Sequence, residues 1–234
     1  MSRSHNEHML LQLLFTAPML ALAWIAALIM ALTLHEFAHA AVGKWRGDDT
    51  AERMGRLTLN PLAHLDPIGF LMLIALGFGW AKPVPYDPRN LRGSKYDDVI
   101  IALAGPTMNL VLAIIGGVAF RIAIGAGLDV VGTALGPFLV FFALTNLMLA
   151  IFNMIPVHPL DGSKLLTVFL TGTSFEWIST WFMRYGNQVI LIAILVSIMT
   201  PYDPFSFIQV PAFLLCDQAL GASCGGLLGV YFGG

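Results

Sequence analysis

The stretch that decides both fold and chemistry reads TLHEFAHA, residues 33–40, at the end of a long apolar run. His35 and His39 are four residues apart, so on a helix they share one face about one turn apart. Two imidazoles so placed can supply two corners of a tetrahedral zinc site. Glu36 is rotated by roughly 100° from His35, where it can reach a metal-bound water without being a ligand. The stretch therefore predicts a zinc site with its own general base.

Composition sets the surroundings of this motif. The 234 residues are 57% hydrophobic and 11% charged, with a mean hydropathy of +0.78. Soluble domains average about 45–50% apolar and about 25% charged residues. This predicts a polytopic protein whose surroundings are the lipid bilayer. The net charge of −2 argues against nucleic acid as a partner.

Four segments are predicted to cross the membrane as helices. Residues 9–33 carry no charge, exceed the roughly 20 residues needed to cross, and continue as a helix to about Val42. The other predicted spans are residues 99–124, 137–155 and 186–199. Small residues in the second of these allow neighbouring helices to approach closely.

The segments between the first two spans are expected to be irregular. Within the polar loop 44–66, the alternating Leu57 and Leu59 predict a short strand. Residues 68–80 are apolar but too short to cross, which favours a re-entrant or interfacial hairpin. Three prolines within residues 83–88 predict an extended loop.

The third span ends in NMIPVHPLDG, residues 153–162. Pro156 and Pro159 break the helix there, and a second helix is predicted from Gly162 to about Leu170. A broken helix at membrane depth is tolerated only where it is buried or lines a polar cavity. Asp161 is therefore a candidate functional residue, although a helix N-cap would also explain it.

The C-terminal third is less informative. Residues 171–185 are predicted as a polar-aromatic loop, and residues 1–204 as a membrane-embedded core. Residues 205–234 are apolar and glycine-rich, and are consistent with a fifth span, an interfacial helix or a floppy end. Cys216 and Cys224 can pair or stay free, since their spacing is no zinc motif. The predicted class is an all-α integral membrane protein, a polytopic bundle with about four to six membrane segments, one re-entrant hairpin and a broken helix at the metal site.

Positive charge predicts the orientation in the membrane. Eight of the twelve basic residues lie between the first two spans, and cytoplasmic loops carry such an excess. We therefore expect a multi-pass protein of the cell membrane with its N-terminus outside and its site near the cytoplasmic face. On this topology the two histidines and Asp161 reach a similar depth from different spans.

A catalytic zinc ion requires three protein ligands and one open position. His35 and His39 supply two, and Asp161 is the best third, ahead of Glu176. Glu36 would take a proton from the metal-bound water, and the hydroxide would attack a peptide carbonyl.

Other polar residues are candidates for supporting roles. Asn153 or Asn109 can donate a hydrogen bond to the developing oxyanion, although each also fits an interhelical contact. His64 and His158 are candidates for substrate binding or for contacts behind the ligands, although His64 also fits a plain loop residue. The alternating patch at residues 57–59 could hold an extended substrate by strand addition.

Several segments together resemble a known family. HEFAH at 35–39 with N-x-x-P-x-x-P-L-D-G at 153–162 resembles the site-2 protease family of intramembrane zinc metalloproteases. AGPTMN at 104–109 is similar to another segment of that family. NPLAHLDP at 60–67, followed by WAKPVP at 80–85, resembles its compact prokaryotic branch, which lacks a PDZ domain.

The likeness covers roughly residues 32–166. It implies one Zn²⁺ ion with Glu36 as the catalytic acid/base, Asn153 near the substrate carbonyl, and three ligands, His35, His39 and Asp161. It also implies regulated intramembrane proteolysis, in which peptide bonds in or near transmembrane segments of membrane proteins are cut. His158 departs from the pattern, because many relatives carry proline there.

Two other classes of function fit part of the sequence. One is a catalytically inactive zinc-binding membrane scaffold, whose effect would survive Glu36→Gln. The other is a metal transporter, which should carry acidic or histidine residues along several spans, whereas here they cluster at one end.

Overall fold

The structure, a computed structural model, describes residues 13, 15–76, 79–94 and 96–232. This part of the chain is helical apart from its loops, and its β-pairing is limited to an isolated bridge between Leu65 and Ala81. The helices are, in chain order, α1 Pro18–Trp45, α2 Thr50–Arg53, α3 Pro67–Leu76, α4 Asp97–Gly125, α5 Leu135–Asn153, α6 Gly162–Leu170, α7 Glu176–Met199, α8 Ser206–Leu220 and α9 Cys224–Phe232.

Four of these helices, α1, α4, α5 and α7, are long and apolar enough to cross a membrane. Helices α8 and α9 meet at 91° and, counted as one bent span, would bring the number to five. The all-helical class agrees with the sequence prediction, and the number of helices able to cross a membrane lies within the predicted range. The part of the first predicted span that precedes residue 13 lies outside the described residues.

The core lies where α1, α4, α5 and α8 pack together. Phe120 of α4, Val140 of α5 and Ala212 of α8 are fully buried in one apolar cluster. Gly117 of α4 lies so close to the backbone of Ala219 that a side chain there would overlap it. Small residues thus allow the close helix approach that packing in lipid requires. A disulfide between Cys216 and Cys224 joins α8 to α9.

Two local predictions were wrong. Helix α7 begins at Glu176, so most of the loop predicted for 171–185 is helical; residues 176–185 contain no glycine or proline to stop a helix. Residues 57–59 form bends instead of a strand. Two alternating leucines specify a strand only when a neighbouring strand pairs with them, and the described residues provide none there.

The segments that precede and follow the short helix α3 lie side by side. The Leu65–Ala81 bridge and a 2.8 Å hydrogen bond from the Lys82 N–H to the His64 carbonyl bring the chain back beside its starting point. Ten residues of helix are too few to cross a bilayer. That this hairpin enters the membrane stays a prediction.

A polar frame fastens the long loop over the C-terminal end of α1. Arg46 forms an ion pair with the buried Asp97, with 2.7 Å between Nε and Oδ1. The carboxylate of Asp48 accepts hydrogen bonds from the backbone and hydroxyl of Thr50, from the Asn90 side chain and from the Asp87 N–H. These contacts tie Arg46 and Asp48, just beyond the helix that carries the histidines, to Asp87, Asn90 and Asp97 further along the chain.

Removing one partner of the buried ion pair tests this frame. Asp97→Ala leaves Arg46 in a site where only 17% of its side chain is exposed. We expect the free energy of unfolding in detergent to fall by about 3–5 kcal/mol. Asp49→Ala removes the partner of Arg53 in an exposed pair and should cost less than about 1 kcal/mol. Equal costs for the two variants would contradict the assignment.

Candidate metal centre

Three donor atoms converge in the C-terminal half of α1, toward the end that the sequence predicts to face the cytoplasm. The Nε2 atoms of His35 and His39 lie 3.0 Å apart. Oδ2 of Asp161, the residue before α6, lies 3.3 Å from the first and 3.2 Å from the second. These three residues form a group that can hold a metal ion. The structure therefore brings the predicted ligands together, while their role as ligands stays a prediction.

A glycine of α4 makes room for the two imidazoles. A Cβ built on Gly105 would overlap Nε2 of His39 and the ring of His35. The backbone of α4 therefore lies directly against both rings. The following Pro106 is accommodated inside α4 without ending the helix.

The chain between α5 and α6 brings Asp161 to the histidines. Helix α5 ends at Asn153, and residues 154–161 are not helical, as expected for a segment containing Pro156 and Pro159. Gly162 packs against the carbonyl groups of Met154 and Ile155, so the segment folds back on itself. That α5 and α6 form one broken span stays a prediction.

The other nitrogen of each imidazole has an acceptor. Nδ1 of His39 lies 2.7 Å from the carbonyl oxygen of Ile101, and Nδ1 of His35 lies 2.5 Å from Oδ1 of Asn109. A carbonyl oxygen only accepts, so each Nδ1 carries the proton and donates. Each neutral ring then presents the Nε2 lone pair to the shared space, which is the tautomer that metal-ligating histidines use.

The donor set fits a zinc ion. Ligands at about 2.0–2.1 Å from a tetrahedral ion lie about 3.3–3.4 Å from one another, close to the separations seen here. Oδ2 of Asp161 is buried and accepts no hydrogen bond of good geometry. This oxygen is therefore free to bind a cation.

Glu36 lies beside the three donors but outside their group. Its side chain is buried, and Oε2 accepts a 3.0 Å hydrogen bond from the Val84 N–H. The buried guanidinium of Arg56 in turn donates to the carbonyls of Lys82 and Pro83. A proline-containing loop held by Arg56 thus fixes the carboxylate through the backbone.

A cavity of about 450 Å³ opens onto this group. Its lining is mostly apolar and includes Pro83, Val84 and Ile190 of α7. The polar residues on its wall are His35, Glu36, His39, Asp48, Tyr86, Asp98, Asn153, Asp161 and Lys164. The space is large enough for a short extended segment of peptide.

The other predicted site residues do not all lie at the cavity. Asn153 lines the cavity and donates from Nδ2 to the Leu149 carbonyl at 3.0 Å. Asn109 lies behind His35 and does not line the cavity. His64 is fully buried elsewhere, 2.8 Å from the Thr58 carbonyl. Its observed contacts are those of a residue that supports the loop.

The two remaining candidates are also outside the donor group. His158 lies in the non-helical segment, where its backbone packs against Gly186 of α7. Glu176 accepts a hydrogen bond from the Gly172 N–H at the start of α7. Neither side chain lines the cavity.

Four contributors to the site escaped the sequence analysis. Asn146 and Gly105 carried a usable signal, since one is a polar residue in an apolar span and the other a small residue beside a proline. No sequence signal indicated Arg56 or Val84. The role of Arg56 depends on how the loop folds, and the role of Val84 depends on its backbone N–H, which every residue except proline has.

Comparison with known proteins finds similarity to zinc metalloproteases. The profile described as Peptidase family M50 matches residues 118–197, which include Asn153 and Asp161 but not the HEFAH motif. The chain is 40% identical over 145 residues to "Putative zinc metalloprotease YwhC" of Bacillus subtilis. It is 37% identical over 144 residues to "Putative zinc metalloprotease Rip2" of Mycolicibacterium smegmatis, and 30% identical over 182 residues to Rip2 of Mycobacterium tuberculosis. No solved structure matches.

The chain contains a domain of peptidase family M50, the site-2 protease family. The matches cover 61%, 59% and 76% of this chain, in the same order. They cover 66%, 53% and 66% of the relatives' own lengths. The chain thus spans between half and two thirds of the curated relatives that it matches.

The close approach of α4 gives a test of the centre. In Gly105→Ala the new methyl group displaces both imidazoles, and we expect zinc affinity to fall at least about tenfold. Zinc content and competition with a chelating dye measure this. Gly125→Ala, in the same helix with nothing within 4 Å of the added carbon, is the matched control. Unchanged affinity in Gly105→Ala would show that the two rings do not bind the metal as a pair.

Proposed function

We propose that this protein is a zinc-dependent endopeptidase embedded in the membrane, which hydrolyses peptide bonds in or near transmembrane segments of membrane proteins. The observation that carries the proposal is the convergence of two imidazole nitrogens and one carboxylate oxygen, 3.0–3.3 Å apart, next to the buried Glu36. The family M50 domain and the names of the relatives support the same activity.

His35, His39 and Asp161 would hold one zinc ion. Two imidazoles and a carboxylate with one open position form a ligand set typical of catalytic zinc. When bound, the ion would polarise the substrate carbonyl and lower the pKa of a bound water. The hydrogen bonds from Nδ1 of each histidine keep both rings oriented toward that position.

Glu36 would act as the general base. The Val84 N–H holds its carboxylate at the cavity wall, within the same buried pocket as the three donors. There it can accept a proton from the attacking water and pass it to the departing amide nitrogen. The backbone hydrogen bond reduces the number of positions that the carboxylate can adopt before reaction.

Asn153 would stabilise the developing oxyanion. Its amide group has two N–H donors, and the structure engages Nδ2 with the Leu149 carbonyl. One N–H can keep that contact while the other donates to the substrate oxygen. Asn153 lies on the wall of the same cavity, at the end of α5 and near Asp161 in the chain.

The surroundings favour a transmembrane substrate. The cavity is mostly apolar and lies among helices that are long enough to cross a bilayer. Peptide bonds in a substrate helix are already hydrogen-bonded, so the helix must unwind locally before it can be cut. The excess of basic residues in the loop after α1 supports a site near the cytoplasmic face of the cell membrane.

The two alternatives receive less support. A transporter needs donors spaced along a pathway, whereas the described residues contain a single metal-sized group. A non-catalytic scaffold would have no use for a buried carboxylate at the cavity beside the ligands. The peptidase accounts for both features.

Two substitutions separate metal binding from catalysis. Glu36→Gln should keep stoichiometric zinc and lower cleavage of a co-expressed membrane substrate by about 10²–10⁴-fold. Asp161→Ala should lower both zinc content and cleavage, because it removes a ligand. A chelator should abolish wild-type cleavage, and added zinc should restore it. Full cleavage by Glu36→Gln would refute the peptidase mechanism.

Asn153→Ala tests the oxyanion role. We expect kcat to fall by about 10²–10³-fold with zinc content unchanged, because the amide acts on the transition state and not on the ion. Asn187→Ala, at an exposed position on α7, is the control. If kcat is unchanged, or if zinc is lost in parallel with activity, Asn153 has no such role.

A further inference from the structure

We infer that Asn146, in the middle of α5, is a positioning residue that determines which nitrogen of His35 carries the proton. It touches neither the cavity nor the three donor atoms, and acts through Asn109. The inference rests on the proposed metal site, since His35 can be a ligand through Nε2 only if its proton is on Nδ1.

The orientation of Asn146 follows from its neighbours. Nδ2 donates a 2.8 Å hydrogen bond to the carbonyl oxygen of Phe142, one turn earlier in α5. Because a carbonyl oxygen only accepts, the amide nitrogen must face it. Oδ1 of Asn146 must then point the other way, toward Asn109, and it presents an acceptor there. Both asparagine side chains are fully buried, so water cannot supply alternative partners.

The orientation of Asn109 follows in turn. Its Nδ2 lies 2.7 Å from Oδ1 of Asn146 and 3.4 Å from the carbonyl oxygen of Ala31. Both of these partners are acceptors, so this end of the amide must be the donor. The opposite end is therefore Oδ1, 2.5 Å from Nδ1 of His35. Nδ1 must donate, and the Nε2 lone pair is left facing Asp161.

The two histidines reach the same tautomer by different means. Nδ1 of His39 donates to the backbone carbonyl of Ile101, which cannot rotate to become a donor. The partner of His35 is a side-chain amide, which presents an acceptor in one orientation and a donor in the other. With the amide reversed, His35 would carry its proton on Nε2 and could not bind an ion there. Asn146 disfavours that reversal.

The relay crosses three helices. It begins at the Phe142 carbonyl of α5, passes through Asn109 of α4 and ends on His35 of α1. Such a contact could also serve only to join helices. A purely structural contact predicts loss of stability in any variant that breaks it. An orienting contact predicts loss of metal binding that is recovered whenever His35 regains an acceptor.

A pair of variants distinguishes these roles. Asn146→Leu removes the closer of the two acceptors that orient Asn109 and leaves only the 3.4 Å contact with the Ala31 carbonyl. We expect zinc affinity to fall about 10–100-fold, as for other partners of metal ligands. Combining it with Asn109→Asp should restore affinity to within a few-fold of wild type. A carboxylate presents an acceptor to His35 in either orientation, so it no longer needs Asn146.

The measurements use the full chain purified in detergent. Zinc affinity comes from competition with a chelating dye, the number of imidazole ligands from X-ray absorption at the zinc edge, and folding from thermal unfolding. We expect fewer imidazole ligands on average in Asn146→Leu and two in wild type and in the double variant. Asn187→Leu, at an exposed position of α7, is the matched control and should retain wild-type affinity.

Each outcome has a distinct meaning. If wild type binds no zinc, the proposed function fails. If wild type binds zinc and Asn146→Leu binds it equally well, the orienting role fails and the proposed function stands. If Asn146→Leu, Asn146→Ala and the double variant all fail to fold, or if the double variant folds without regaining affinity, Asn146 joins helices and does not orient His35.

Discussion

The structure depends on holding three lone pairs within about 3 Å of one another among apolar helices. Two imidazole nitrogens and a carboxylate oxygen repel when they converge without a cation, and the low dielectric of a helix bundle strengthens that repulsion. The surrounding elements make the convergence possible. Gly105 brings α4 against the rings, the non-helical segment after α5 returns Asp161 to them, and the polar frame holds the end of α1.

Two sets of hydrogen bonds surround the three donor atoms. One set holds the proposed ligands and the other holds the proposed base, Glu36. Inside the bundle, Asn109 and the Ile101 carbonyl, both on α4, accept hydrogen bonds from the histidines, and Asn146 of α5 supports Asn109. The loop after α1 reaches Glu36 from the other side, through the Val84 N–H and the Arg56 guanidinium. Most of these contacts end on backbone atoms, which hold a fixed donor or acceptor role. The centre can therefore be preorganised without many charged residues in the membrane region.

The sequence predictions succeeded where the pattern was long or the chemistry distinctive. Uncharged or weakly charged apolar runs located the four helices that are long and apolar enough to cross a membrane, and the break at Pro156 and Pro159 located the start of α6. Predictions failed where only two or three residues supported them, as for the strand at 57–59. The start of α7 was missed because polar and aromatic residues are compatible with both loop and helix.

The sequence by itself determined the class of protein, the helical spacing of His35 and His39, and Asp161 as the most suitable partner. These follow from local rules of hydropathy, helix geometry and ligand chemistry. Only the tertiary structure decided that Asp161 lies within 3.3 Å of the histidines, that Val84 holds Glu36, and that Asn146 lies behind Asn109. Those contacts join residues distant in the chain, and their geometry depends on how helices pack, which no single segment encodes.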